Sequence, residues 1–300
     1  MERRPTSLGG RRVRQTWSNA FVDGHVHLQP CFDIRGVLDA AASNMVRQMQ
    51  AMGNADHRDA LGVLMLAEVS GVDRFQELRT RMHSGNGDAS GTLMQGDWQI
   101  GEAAGRYSGL LASREGGPDV LLVPGRQVRS NERLEVLFLN SREVYADDLA
   151  LGDVLATEQP AHVIVVLAWG VGKWLGRRGR LVDRVIQART PGHGLLLGDN
   201  GGRPVCWTEP SQFRSARQAG LKVLRGSDPL DLPGEEERVG SFGSRVEAVI
   251  PRSDPVAAIV EALRDPAQPL RDFGFLQRNA RFLRNQFGLR RRRPIPEPLS

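Results

Sequence analysis

Two histidines and an aspartate at alternate positions stand near the start of the chain, in the segment Asp23-Gly24-His25-Val26-His27. In an extended strand, alternate side chains lie on the same face, so Asp23, His25 and His27 are predicted to point into one cavity at a strand end. Imidazole together with carboxylate suits Zn²⁺, Mn²⁺ or Fe²⁺ better than Ca²⁺. The segment therefore predicts a divalent metal centre, whose remaining ligands must come from elsewhere in the chain.

The segments that must position these ligands alternate between helical and extended patterns. Apolar residues at helical spacing predict helices over residues 32–52, 72–82, 147–157, 174–188, 211–219, 255–263 and 275–287. Short apolar runs predict strands at the histidine segment and over residues 61–67, 109–112, 120–124, 134–139, 162–168, 195–198 and 221–224, with one more strand after the glutamates near residue 236. Such alternation is typical of a parallel sheet with crossover helices. We count about seven core strands, and expect an α/β fold, a distorted (β/α)7 TIM-like barrel with a C-terminal helical appendage.

The domain boundaries follow from composition. We expect a basic, disordered N-terminus over residues 1–15, a barrel domain over 16–250, C-terminal helices over 251–289 and a basic, Pro-rich tail over 290–300. No apolar run is long enough for a membrane span and no apolar stretch follows the N-terminal charges, so we expect a cytoplasmic protein. The two cysteines, Cys31 and Cys206, favour neither a disulfide framework nor a zinc finger.

The charge is uneven along the chain. Of the net +5, residues 1–14 carry +4 and residues 264–300 carry +6, which leaves −5 for the body between them. A basic tail can attract nucleic acid or another polyanion, but it lacks interleaved aromatic residues. Nucleic acid therefore stays open as a partner without being favoured, and the oligomeric state is left open. The small anionic, phosphorylated substrate that we expect is what the family resemblance described below implies.

Polar residues at the ends of apolar runs are the candidates for the rest of the site, because parallel barrels place active sites where strands end. Glu68, Asp199 and Asp228 each follow such a run and could complete the ligand set with His25 and His27. Asp228 is our first choice for a catalytic base if it is not a tight metal ligand, and Glu68 is the second.

Three motifs in order resemble those of the PHP superfamily, the polymerase and histidinol phosphatase metallophosphoesterases. They are Asp23-x-His25-x-His27, then Val123-Pro124-Gly125-Arg126-Gln127 followed by Glu135, and Gly226-Ser227-Asp228. The resemblance spans roughly residues 20 to 230. It implies a distorted seven-stranded barrel that holds up to three divalent metals and hydrolyses phosphoester bonds.

The chain departs from that family pattern at several positions. Glu68 stands without the usual Asp-His pair, Gly125-Arg126-Gln127 replaces Gly-x-Glu, and Glu135 and Trp169 stand where histidines are usual. The closing Asp-x-His reads Asp228-Pro229-Leu230. These departures predict a reduced site that holds one or two ions rather than three.

Several residues could bind an anionic substrate. Lys173 and Arg177 lie in a Gly-rich segment that follows a strand and opens a helix, where backbone N–H groups favour anions. Arg203, Trp169 and Asn200 follow other strands and could line the same pocket.

The leading function is a metal-dependent hydrolase, most simply a phosphoesterase. Two alternatives stay open, namely a degenerate barrel that binds a ligand or partner without turnover, and an amidohydrolase-type C–N hydrolase. The amidohydrolase pattern expects two further histidines, and neither His162 nor His193 is well placed for it.

Overall fold

The structure, a computed structural model, describes residues 14–53, 56–84, 91–188 and 194–291. Most of the predicted basic start and tail, and His193, lie outside these residues. The strands within them are β1 Thr16–Trp17, β2 Asn19–Val26, β3 Ala60–Leu66, β4 Leu93–Gln95, β5 Trp98–Glu102, β6 Leu110–Ser113, β7 Asp119–Val123, β8 Gly125–Arg129, β9 Glu135–Leu139, β10 Ile164–Ala168, β11 Leu195–Asn200, β12 Val223–Gly226, β13 Phe242–Val246, β14 Ile250–Pro251 and β15 Leu270–Gly274. The helices are α1 Ile34–Ala51, α2 Arg74–His83, α3 Leu151–Ala156, α4 Gly176–Ala188, α5 Ser211–Gln218, α6 Pro255–Arg264 and α7 Asn279–Arg291.

The strands form three open sheets. The largest has eight strands in the order β15-β13-β2-β3-β7-β6-β5-β4, the second has five in the order β12-β11-β10-β9-β8, and β1 pairs with β14. No ladder among the described residues joins these sheets into a barrel. The predicted (β/α)7 TIM-like barrel is therefore wrong, and the fold is a mixed α/β arrangement of open sheets.

The strands in the middle of the chain explain why no barrel forms. Strands β4 to β7 pair antiparallel with their sequence neighbours, and so do β8, β9 and β10. Parallel neighbours need a crossover of a dozen or more residues, whereas antiparallel neighbours need only a short turn. The apolar runs between residues 93 and 139 lie too close together for crossovers, so this region contributes antiparallel ribbons instead of repeated βα units.

Each large sheet nevertheless keeps a parallel centre. Strands β2, β3 and β7 are parallel in the eight-stranded sheet, and β10, β11 and β12 are parallel in the five-stranded sheet. The two sheets approach each other at the carboxyl ends of these strands. There the Asp228 N–H donates to the His25 carbonyl at 2.9 Å, and the Gln127 N–H donates to the Glu68 carbonyl at 2.9 Å.

A hydrophobic layer between the two sheets holds them face to face. Val63 of β3, Leu137 of β9, Ile164 of β10 and Ile259 of α6 belong to one buried cluster. Helices α1 and α2 cover the outer face of the larger sheet, and α4 and α5 cover the outer face of the smaller one. Strand β3 is buried along its whole length, which explains its uninterrupted apolar sequence.

The helices agree better with the sequence than the strands do. Helix α1 lies inside the predicted segment 32–52, and α5 and α6 end within one residue of their predicted ends. Helix α7 begins four residues later than predicted, at Asn279. None of the helices in the described part of the chain is long and apolar enough to cross a bilayer.

Candidate metal centre

His25 and His27 lie at the carboxyl end of β2, and both side chains are buried. The pairing of β2 with β3 shifts register between Asp23 and Val26, so the strand bulges beside the first histidine. The two imidazoles meet edge to face, and their Nε2 atoms lie 3.0 Å apart. The predicted alternation therefore brings both ring nitrogens to one point.

Asp228 completes the group from the end of β12, more than 200 positions along the chain. Its φ of 46° lies in the left-handed region, which Asp and Asn tolerate better than most residues. Its Oδ1 lies 3.7 Å from His25 Nε2 and 3.4 Å from His27 Nε2. The Asn200 side-chain amide donates to the other oxygen, Oδ2, and so fixes the orientation of the carboxylate.

The three ligand atoms fit a metal ion in both number and spacing. Each residue offers one ligand atom, and these atoms all lie within 4.8 Å of one another. Ligands about 2.0 to 2.1 Å from a tetrahedral ion lie roughly 3.3 to 3.4 Å from each other, in the middle of the observed separations of 3.0, 3.4 and 3.7 Å. The buried group of His25, His27 and Asp228 could therefore hold a metal ion.

The charges of the group are strongly coupled. Burial lowers the pKa of His25, because a charged imidazole is poorly solvated there. Burial also opposes a charged His27, but the hydrogen bond and the charge of Asp228 outweigh it and raise the pKa of His27. For Asp228, burial is outweighed by the two histidines, so its pKa lies well below the usual range. The group thus presents a carboxylate at neutral pH, as metal binding requires.

The group opens onto a cavity of about 350 Å³, hereafter the metal cavity. Lys173 and Glu135 form an ion pair on its wall, and Gln127 brings its amide Oε1 to within 3.0 Å of His25 Nε2. A Cβ on Gly170 would overlap the Lys173 side chain, so the glycine lets this chain lie across the backbone towards Glu135. Asn200 also lines the cavity. The predicted substrate-binding residues Lys173 and Asn200 are therefore placed beside the metal group.

Asp23 is buried on β2 and its carboxylate binds the backbone. It accepts hydrogen bonds from the N–H groups of Ser227 and Gly240, each at 2.8 Å, and from that of His25 at 3.4 Å. Burial raises its pKa to about 6, although these donors oppose the shift. Asp23, predicted as a ligand, instead ties β2 to the segments after β12 and before β13.

Glu68 and Asp199 also lie outside the metal group. Glu68 accepts the Phe75 N–H at 3.1 Å and faces Arg126, and burial raises its pKa to about 7. Asp199 forms a two-point pair with Arg203, with hydrogen bonds of 3.0 and 2.9 Å. The Arg203 guanidinium also donates to the Trp207 carbonyl, so it is held within the protein rather than offered to a substrate.

Other predicted residues lie further from the group. Trp169 is buried against Trp207, and Arg177 is exposed on α4 without lining the metal cavity. His162 stacks on Tyr107.

Two side chains beside the group, Gln127 and Glu135, are absent from the predicted ligands and substrate contacts. In the PHP pattern a glutamate is usual where Gln127 stands, and a histidine is usual where Glu135 stands. The sequence could have indicated from this correspondence that both positions face the site.

Comparison with known proteins gives a likeness in structure but none in sequence. No protein-family model matches the chain, and no curated protein matches it. The chain is similar in structure to PsfC from Pseudomonas syringae PB-5123, with a TM-score of 0.52 and 16% sequence identity over 91% of this chain and 98% of that one. At that identity the likeness concerns the fold alone.

Proposed function

We propose that the chain is a metal-dependent hydrolase of phosphoesters, with His25, His27 and Asp228 as ligands of one divalent ion, Zn²⁺, Mn²⁺ or Fe²⁺. The observation that carries the proposal is the convergence of three ligand atoms, from the buried His25 and His27 and the half-buried Asp228, beside a cavity that His27 and Asp228 line. Two imidazoles, one carboxylate and an open side are typical of catalytic rather than structural sites for these ions.

The residues that line the metal cavity have different roles in the proposed hydrolysis. A bound divalent ion polarises a phosphoryl oxygen and makes a neighbouring water more acidic. Lys173 meets a second phosphoryl oxygen, and Glu135 holds its ammonium group at the cavity wall until substrate arrives. Asn200 keeps Oδ2 of Asp228 turned away from the imidazoles. Of the two predicted bases, Asp228 lines this cavity, whereas Glu68 lies in an adjoining one.

A relationship to the PHP superfamily is part of the proposal. It rests on Asp23-x-His25-x-His27 and on the order of the later motifs, of which the last supplies Asp228. An ammonium group beside the metal favours a phosphorylated substrate over an uncharged amide, so C–N hydrolysis is the weaker alternative. The cytoplasmic location stays a prediction.

Binding without turnover is the second candidate function. It is favoured by the ion pair of Asp199 with Arg203 and by the hydrogen bond of Glu68 with the Phe75 N–H, since these contacts leave three side-chain ligands where the resemblance implies a larger cluster. Both candidates need the metal, and they differ in whether phosphoesters are consumed.

Metal content and phosphoesterase activity test the proposal. The full chain, loaded with Zn²⁺, Mn²⁺ or Fe²⁺ and freed of excess by gel filtration, should retain about one equivalent and hydrolyse p-nitrophenyl phosphate. His25→Ala and His27→Ala should fall below a tenth of an equivalent. His57→Ala is the matched control, because His57 contacts the Gly116 carbonyl far from the group. Retention of less than a tenth of an equivalent of metal by the unaltered chain would contradict both candidate functions. Metal binding without hydrolysis would contradict the hydrolase and support the protein that binds without turnover.

A further inference from the structure

A second cavity adjoins the metal cavity. It has a volume of about 330 Å³ and shares Val69 and Gln127 with the metal cavity. Because Gln127 Oε1 lies 3.0 Å from His25 Nε2, this second cavity begins one side chain away from the metal group. We call it the side slot; its walls include Glu68, Val69, Val72, Arg126, Val144 and Tyr145.

The side slot does not favour an anion. The Arg126 guanidinium contacts the Asp73 carboxylate, donates to the Val72 carbonyl at 3.0 Å and faces Glu68 at 3.7 Å. The Arg126 guanidinium is therefore already paired within the protein and is not free to bind an anion. In the metal cavity a bound divalent ion would keep an open coordination position for a phosphoryl oxygen, and the Lys173 ammonium group lies on the same wall. The negative end of a substrate is drawn to the metal cavity and not to the slot.

Most of the remaining wall is apolar, with Ser70 and Gly71 as the exceptions. Val69, Val72 and Val144 contribute aliphatic surface. The Tyr145 ring stacks on Phe138 with centroids 3.9 Å apart, and its hydroxyl is hydrogen-bonded to Ser141 at 2.7 Å and Gln159 at 2.8 Å. A fixed aromatic wall with aliphatic neighbours suits an uncharged organic group, since such a group regains no hydrogen bonds by staying in water.

We propose that the side slot binds the organic group of the substrate, and that the substrate is a phosphate ester of an apolar alcohol. This inference rests on the proposed function, because it assumes that the phosphoryl group is held at the metal cavity. A water molecule occupies about 30 Å³ in the liquid, so the volume of the slot corresponds to roughly ten water molecules. That is enough for a chain of several carbons.

Hexyl phosphate and ethyl phosphate provide the probe, because their alcohols differ in apolar length but hardly in leaving-group reactivity. Each buried methylene is worth up to about fourfold in affinity, so kcat/KM of the Zn²⁺-loaded full chain should be at least about tenfold higher for hexyl phosphate. Val144→Asp should lower the hexyl value at least about tenfold and leave the ethyl value within about twofold.

The variant is expected to fold, because the Val144 side chain is 92% exposed. Val249→Asp is the matched control, since Val249 is 66% exposed but does not line either cavity. Equal kcat/KM for the two esters, or an equal loss in both variants, overturns the side slot while leaving the hydrolase intact.

If neither ester is hydrolysed, binding of hexylphosphonate and ethylphosphonate to the same Zn²⁺-loaded protein, measured by calorimetry, decides the matter. At least about tenfold tighter binding of hexylphosphonate that is lost in Val144→Asp supports the slot even though the hydrolase proposal has failed. Equal binding, or no binding of either, overturns it.

Discussion

At the scale of single residues, three aspartates near the strand ends differ in what balances their charge. Asp23 is bound by backbone N–H groups, and Asp199 is bound by the Arg203 guanidinium. Asp228 faces two imidazoles and one amide. Asp228 raises the pKa of His27, so a proton on that imidazole balances the carboxylate when no metal is bound. A proton can be exchanged for a metal ion, whereas backbone N–H groups and a guanidinium cannot, so of the three it is Asp228 whose negative charge a metal ion would balance.

Substitution of Asp228 and Asp199 by asparagine should separate the two roles. Asp228→Asn fits the left-handed backbone and should keep the fold while weakening Zn²⁺ binding at least about tenfold, since a charged ligand is lost. Asp199→Asn leaves the buried Arg203 without its counterion, so the free energy of unfolding should fall by about 3 to 5 kcal/mol. Zinc titration calorimetry and urea unfolding measure the two effects.

The folded fraction of Asp199→Asn should still bind metal with unchanged affinity. If it instead lost the metal and kept its stability, Asp199 would be a ligand and the three-residue group would be incomplete.

The raised pKa of Glu68 predicts that stability falls with rising pH. The folded protein holds this proton up to about pH 7, whereas the unfolded chain releases it near the ordinary value of 4.5. The stabilisation is therefore full below the unfolded value and is lost as the pH rises towards 7, by at most about 1.4 kcal/mol per pH unit. Glu68→Gln should remove this decline, as measured by urea unfolding between pH 5 and pH 8.

Asp23, whose pKa is raised to about 6, contributes a decline of the same sign over a lower range. The Glu68→Gln protein should therefore keep the slope below pH 6 and show a shallower one between pH 6 and pH 7, and the decline that remains above pH 6.5 belongs to His27, whose pKa is also raised. An identical slope in both proteins across the whole range would show that Glu68 is not held protonated by burial.

At the scale of elements, the metal group depends on a close backbone approach between β2 and the end of β12. A Cβ on Gly226 would overlap the His25 backbone, and one on Gly24 would overlap the Leu224 side chain. The absence of side chains at these two positions lets the strand ends meet, and the Asp228 N–H then reaches the His25 carbonyl.

Gly226→Ala should therefore damage both stability and metal binding. Overpacking against a backbone that cannot yield costs about 1 to 3 kcal/mol, and separation of the strands moves Asp228 away from the imidazoles. Gly101→Ala in β5 is the matched control, because nothing lies within 4 Å of a Cβ there, and it should be neutral or stabilise by up to about 1 kcal/mol. Thermal unfolding and zinc content report both effects; normal zinc binding by Gly226→Ala would mean that the approach is not needed.

The elements that the sequence predicts well are those whose signal is local. Helix α1 and the buried strand β3 follow directly from apolar periodicity. The β4–β5 hairpin was missed although its signal is present, a two-residue Gly96-Asp97 turn with φ of 63° at the glycine. Antiparallel ribbons of this kind replaced the expected βα units, and the barrel prediction failed for that reason.

At the scale of the whole molecule, the candidate site joins residues that are distant in sequence. The pairing of His25 with His27 could be predicted because alternate strand positions share a face. The approach of Asp228 depends on how two separate sheets pack, which no local pattern encodes. The sequence also does not show which carboxyl groups lie beside an arginine. Arg126 lies beside Glu68 and Arg203 pairs with Asp199, so neither carboxyl group faces the metal group.

Helix α7 extends over the metal cavity, and the buried carboxylate of Glu235 helps to anchor it to the body of the protein. Gln286 and Leu289 of α7 line the cavity. Glu235 Oε1 accepts hydrogen bonds from Arg281 at 2.9 Å and from Asn285 at 3.0 Å, while Oε2 accepts one from Arg238 at 3.1 Å. Burial opposes a charged Glu235, but these partners outweigh it and lower its pKa. The anchor is therefore present above the ordinary Glu pKa and is lost only as the pH falls below it.

Glu235→Gln should loosen α7 without unfolding the sheets. The variant leaves two guanidinium groups without their counterion, which should lower the free energy of local opening of α7 by at least about 1.4 kcal/mol. Amide hydrogen exchange in residues 279–289 should therefore become at least about tenfold faster. Exchange in β3 and β10 should stay unchanged, because the layer between the sheets does not include α7. Glu237→Gln serves as the control, since that neighbouring carboxylate is exposed. Uniformly faster exchange throughout the chain would instead make Glu235 a support of the whole fold, and α7 would then not be a separately anchored cover of the metal cavity.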